Sequence, residues 1–153
     1  MEKIIGVLER VSGHTYDTIY DLVFTNERVI AVIVQHPSDE IHKIGLKGLL
    51  IGGRLAKGRI RPPGKGIAEE RRRDYEEKTL DELMASHRFN FEICYSKVSS
   101  VEITRRFFKS HLKFRVSRPS IRDLTIHFTL TKNQFANARQ LLDLVLPSKL
   151  KGK

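Results

Sequence analysis

Four runs between Phe89 and Leu130 follow a two-residue period, and that period constrains the chain more than any other feature. Phe89, Phe91, Ile93 and Tyr95 alternate with Asn90, Glu92 and Cys94. Val98, Val101 and Ile103 mark the next run. Leu112, Phe114 and Val116 alternate with His111, Lys113 and Arg115, and Leu124, Ile126, Phe128 and Leu130 with Thr125, His127 and Thr129. Successive strand side chains point to opposite faces, so this alternation predicts strands with one buried and one wet face. No helical period separates the runs. They are therefore expected to pair as antiparallel neighbours rather than through βαβ crossovers.

Three more strands are expected upstream, over residues 3–11, 19–25 and 28–35. The third is the most apolar, and Asn26-Glu27 joins it to the second as a hairpin. Ser12-Gly13-His14 supplies turn chemistry between the first two. At the other end, Lys132 to Leu146 reads as one amphipathic helix, with Phe135, Ala138, Leu141, Leu142, Val145 and Leu146 on a single face. Thr131 is its expected N-cap and Pro147 its stop.

Residues 36–87 break the strand pattern with glycine at 45, 48, 52, 53, 58, 64 and 66 and proline at 37, 62 and 63. Helix formers take over from Ala68 to Ser86, and Thr79 with Glu82 forms a capping-box signal for a second helix. A chain of 153 residues is long enough for one domain with an ordinary core. The expectation is a single domain over 1–147 with its core in 3–35 and 88–147, an insertion at 36–87, and a basic tail at 148–153 that frays. The fold class is mainly β (α+β). Seven antiparallel strands manage their edges by closing into a bent barrel, capped by the C-terminal helix.

Asp21 to Ile30, reading Asp-Leu-Val-Phe-Thr-Asn-Glu-Arg-Val-Ile, resembles the hairpin of bacterial pleckstrin-homology-like (PH-like) and GRAM-like domains. Tyr95 to Ile103, reading Tyr-Ser-Lys-Val-Ser-Ser-Val-Glu-Ile, resembles a strand pair of the same superfamily. The resemblance covers roughly 3–35 and 88–147. It implies a seven-stranded, partly open barrel with a C-terminal helix, a scaffold that mostly binds rather than reacts. PH domains that hold inositol phosphates carry basic residues around the first hairpin loop. Here that loop, Val11 to Asp17, has no Lys or Arg, so that route to phosphoinositides is not expected.

The sequence offers little for catalysis. Cys94 is the single cysteine, which excludes a disulfide framework and a Cys-based zinc site. No histidine pair has the His-Glu-x-x-His spacing. His36 and His42 flank Asp39 and Glu40 in what reads as a solvated loop, and no metal site is expected. Gly58 to Lys65 is not a phosphate loop, because two prolines replace amides and Gly66 stands where a hydroxyl should hold magnesium. The carboxylates of 69–82 alternate with arginines, as on a salt-bridged helix surface. No catalysis and no cofactor are expected.

Charge is the remaining signal. With 28 Lys plus Arg against 18 Asp plus Glu, the formal charge is +10. Two acid-free blocks carry the excess. Lys43, Lys47, Arg54, Lys57, Arg59, Arg61 and Lys65 form one; the other runs from Arg105 to Arg122 and includes Arg106, Lys109 and Lys113. Such fields attract anionic membranes or nucleic acid. Leu46, Leu49, Leu50, Ile51 and Leu55 lie among the first block, either as the apolar side of an interfacial segment or as a contact with the barrel or a second copy. Arg105-Arg106-Phe107-Phe108-Lys109 interleaves bases with aromatics at a strand-to-strand turn, where one phenylalanine is expected to pack inward.

The reading is a non-catalytic binding or scaffolding module whose partner is an anionic lipid surface or a protein. Nucleic-acid binding and homo-oligomerisation through the same residues are the alternatives. The N-terminus has no signal-peptide pattern, and no run of about 18 apolar residues occurs. A cytoplasmic protein, peripheral at the inner membrane face, is the expected location.

Overall fold

The structure, a computed structural model, describes residues 1–13, 18–36 and 65–152. Eight strands form one sheet: β1 (Ile4–Ser12), β2 (Ile19–Thr25), β3 (Arg28–Gln35), β4 (Phe91–Cys94), β5 (Val98–Arg105), β6 (Ser110–Val116), β7 (Leu124–Leu130) and β8 (Leu150–Lys151). Their order is β4-β3-β2-β1-β7-β6-β5-β8. All neighbours are antiparallel except β5 and β8. Among the described residues three α-helices accompany them: α1 (Lys65–Glu77), α2 (Leu80–Ala85) and α3 (Lys132–Val145).

Two expectations need correction. The sheet has eight strands rather than seven, and among the described residues no ladder joins its two ends, so it stays open. A single 3-10 turn, Tyr95–Lys97, carries the chain directly from β4 to β5. Three residues are enough to redirect the chain but place no ladder between the strands they join. Over residues 148–152 the tail does not fray. Lys149 Nζ donates to the Tyr95 carbonyl at 2.8 Å, the Val101 N–H donates to the Lys149 carbonyl at 2.9 Å, and Leu150 and Lys151 pair with β5.

The main core lies between one face of the sheet and α3. Phe24, Ile103, Leu112, Phe114, Phe128 and Leu130 meet Ala138, Leu142 and Leu146 there. A second, smaller core covers the opposite face of β2 and β3, where Val23, Ile30 and Val32 pack against Tyr75 of α1 and Leu83 of α2. This explains why β3 is apolar without alternation: it is covered on both faces. The capping box predicted at Thr79 is present. Its N–H donates to Glu82 at 2.8 Å, and its hydroxyl accepts from the Glu82 N–H at 3.2 Å.

A bulge interrupts β1. Leu8 faces Leu22 and Val11 faces Tyr20, leaving Glu9 and Arg10 opposite Asp21 alone. Arg10 accordingly takes a positive φ of 58°. Two groups hold the bulge. Asp21 Oδ1 accepts the Arg10 N–H at 2.9 Å, and Gln134 Nε2 donates to the Glu9 carbonyl at 2.5 Å. The same Gln134 amide accepts the Thr131 N–H at 2.8 Å, so one side chain caps α3 and fastens it to β1.

Candidate functional site

The β5–β6 hairpin carries the most unusual surface among the described residues. Arg105 and Ser110 form its last pair, and the Arg106 N–H donates to the Lys109 carbonyl at 3.0 Å. Phe107 and Phe108 are left as the two central residues of a tight turn, 98% and 89% exposed. The expectation that one of them packs inward is overturned. The turn takes both off the pleat, beyond the point where Ile103 and Ser110 end the buried rows. Leaving two phenylalanines in water forgoes burial of ~2 kcal/mol each, a cost the core does not impose.

The cations around this tip divide by strand phase. Arg105 is in phase with Val101 and Ile103, and its guanidinium lies 5.8 Å from the centre of the Phe135 ring on α3. Arg106, Lys109 and Lys113 are exposed. Lys113 alternates with the buried Leu112 and Phe114, which puts it on the outward face with His111. On the neighbouring strand, His127 stands opposite Lys113 in the register. The two histidines meet diagonally: Nδ1 of His111 and Nε2 of His127 share a hydrogen bond of 2.9 Å, with ring centres 5.0 Å apart. Burial, reinforced by Arg106, Lys113 and Lys109, holds His111 below the ordinary histidine range. The sequence placed both histidines on outward strand faces; their contact follows from the register, 16 residues apart, which alternation alone does not fix.

The other predicted site residues divide differently. Lys65 opens α1. Lys43, Lys47, Arg54, Lys57, Arg59 and Arg61, and the apolar set Leu46, Leu49, Leu50, Ile51 and Leu55, lie outside the described residues. The sheet register shows at which end of the sheet β3 finishes. Gln35 pairs with Ile19, Ile19 with Ser12, Ser12 with Thr129, Thr129 with His111, and His111 with Thr104. That row crosses the sheet, so the chain leaves β3 toward the insertion at the same end from which the β5–β6 hairpin projects.

Two further charge clusters were not read from the sequence, and both are structural. Asp21, 1% exposed, receives the Tyr75 hydroxyl at 2.5 Å and Arg71 Nε at 2.9 Å. Arg71 and Tyr75 lie one helical turn apart on α1, so a single face of that helix clamps the carboxylate. Burial, followed by the Asp21 charge, pushes the Tyr75 phenol well above its usual range. The only available signal was an aspartate inside the apolar run Ile19–Thr25. At the opposite end of β3, Arg28 binds Glu2 at 2.9 Å, Asp81 at 3.3 Å and Glu92. These carboxylates are engaged with one guanidinium and do not form an acid–base pair. Cys94 borders this cluster. Burial, followed by the Glu92 charge, raises its thiol, the reverse of an activated nucleophile. No group of three or more metal-ligating side chains occurs among the described residues.

No family model, no curated protein and no solved structure matches this chain.

Proposed function

We propose that this chain is a non-catalytic, PH-like binding module that docks peripherally on an anionic membrane surface through the tip of its β5–β6 hairpin. One observation carries the reading: two fully exposed phenylalanines on a tight turn, with Arg106 and Lys109 beside them and no acid from Arg105 to Arg122. Aromatic rings favour the acyl–headgroup boundary, and each Lys or Arg beside an anionic leaflet adds ~1 kcal/mol. No helix among the described residues is long and apolar enough to cross a membrane, which fits attachment from one side. The seven antiparallel neighbours β4-β3-β2-β1-β7-β6-β5, with α3 over one face, support the PH-like part of the reading.

Flotation with vesicles of phosphatidylcholine plus phosphatidylglycerol, and of phosphatidylcholine alone, tests this. The wild type should float with the anionic vesicles only. Phe107→Ala/Phe108→Ala should abolish flotation, while its unfolding free energy in urea stays within ~0.5 kcal/mol of wild type, as for exposed sites. Wild type that remains at the bottom of the gradient would sink the proposal. A salt-sensitive shift with arbitrary single-stranded DNA in that case would favour stacking of bases on the same rings.

A further inference from the structure

The paired histidines below the tip have no role in the core, since both lie on the outward face of the sheet. We propose that His111 and His127, with Arg106, Lys109 and Lys113, form a phosphate-binding site at the root of the β5–β6 hairpin that strengthens on acidification. The inference deepens the membrane reading and rests on it for the identity of the phosphate as a lipid headgroup. The site itself takes any phosphate mono- or diester.

The geometry argues as follows. Two imidazoles at 2.9 Å hold one hydrogen between facing nitrogens when both are neutral. One added proton keeps that hydrogen bond and gives the pair a single positive charge, whereas a second added proton would put donors face to face. The pair therefore changes by one charge, and while the site is empty His111 takes it up on the acid side of the ordinary histidine range. Among the described residues, the groups facing it are Thr104 and Glu102 from β5, Arg106 and Lys109 from the turn, Lys113 and Arg115 from β6, Thr129 from β7 and Ser12 from β1. Only Glu102 is acidic, and it stands opposite Lys113 in the register. The cations oppose protonation of His111 while the site is empty. A phosphate seated among them removes that opposition, so phosphate binding and proton uptake favour each other reciprocally. A phosphodiester held there would also lie just behind the phenyl rings of the tip, at the depth where headgroups lie behind inserted aromatics.

Two readouts test this on the full chain. The first follows the histidine ring resonances by NMR as pH falls, with and without inorganic phosphate. The midpoint of the 111/127 pair should rise when phosphate is present; an unchanged midpoint would overturn the proposal. The second measures affinity for phosphatidylcholine–phosphatidylglycerol vesicles. It should tighten about fivefold between pH ~7.5 and ~5.5, the weight of one added charge. His111→Asn/His127→Asn, which removes both titrating rings, should show no tightening between the two pH values, whereas tightening equal to wild type in the variant would overturn the proposal. If phosphate raises the midpoint but no vesicle binds, the site serves soluble phosphate esters and the membrane reading fails alone. If vesicles bind equally at both pH values and phosphate leaves the midpoint unmoved, the membrane reading stands and this one falls.

Discussion

Single residues decide where the helices of the insertion attach. Asp21 is a buried charge with three donors: the Arg10 backbone, Arg71 and Tyr75. Removing one partner from such a site leaves the others desolvated and unmatched. Tyr75→Phe should therefore cost ~1–3 kcal/mol in urea unfolding with little change in shape. A variant as stable as wild type would show that the hydroxyl contributes nothing net. Glu2 carries a pH signature. Burial alone would raise its carboxyl, but hydrogen bonds from Arg28 and Thr25 outweigh that and hold it below the ordinary 4.5. A depressed acid stabilises the fold above its unfolded value and loses that stabilisation as pH falls through its folded value. Glu2→Gln should consequently be less stable than wild type at neutral pH. The gap should close in acid, below the ordinary 4.5, when both are followed by thermal unfolding. A gap that persists there would assign the loss to packing.

At the scale of elements, the short β8 strand holds more than its two residues suggest. It covers the middle of β5 at the sheet edge, leaving an open strand template shorter than it would otherwise be. Gly152 follows at a φ of 134°, and a Cβ there would fall 2.2 Å from the Ile103 carbonyl oxygen. The obstacle is backbone, so it cannot yield as a flexible side chain would. Gly152→Ala should release β8, and hydrogen exchange at the Val101 amide, now bonded to Lys149, should quicken. Unchanged protection of that amide would show that the tail adapts. The β5–β6 hairpin is the contrasting element: its turn contributes exposed rings and no core contact, so it can change without disturbing the sheet.

Over the whole molecule, two hydrophobic layers share β2 and β3. Leu142 anchors the α3 layer and Leu83 the α1–α2 layer, and both are buried. Leu→Ala at either should cost ~2–5 kcal/mol. Because the sites lie on opposite faces of the sheet, the double variant should show the sum within ~0.5 kcal/mol in a single transition. A separate early transition in Leu83→Ala alone would mean that the outer layer unfolds independently.

Much of this architecture was legible. The strands at 19–25 and 28–35, the restart at Thr79 and the final helix all followed from local period and capping, which act within a few residues. What was not legible depends on partners far apart in sequence. Asp21 meets Tyr75 across 54 residues, and the β8 pairing brings Leu150 to Val101. Phe107 and Phe108 were misjudged because alternation predicts a face only while the pleat continues, and the turn ends it.

The coverage of β2 and β3 on both faces has one more consequence. In a half-wet strand, slipping the pairing by one residue drives apolar groups into water, and that penalty sets the register. Val23, Phe24, Val29, Ile30 and Ala31 are apolar whichever way they point, so here the penalty is weak. Something other than greasiness must tell these strands where to stop sliding. For β2 against β1, Asp21 fits that part, since only one alignment brings its carboxylate to the Arg10 amide of β1 while the α1 clamp closes on it. The single buried acid in the hairpin then acts as a key cut for one position, trading some stability for a unique alignment.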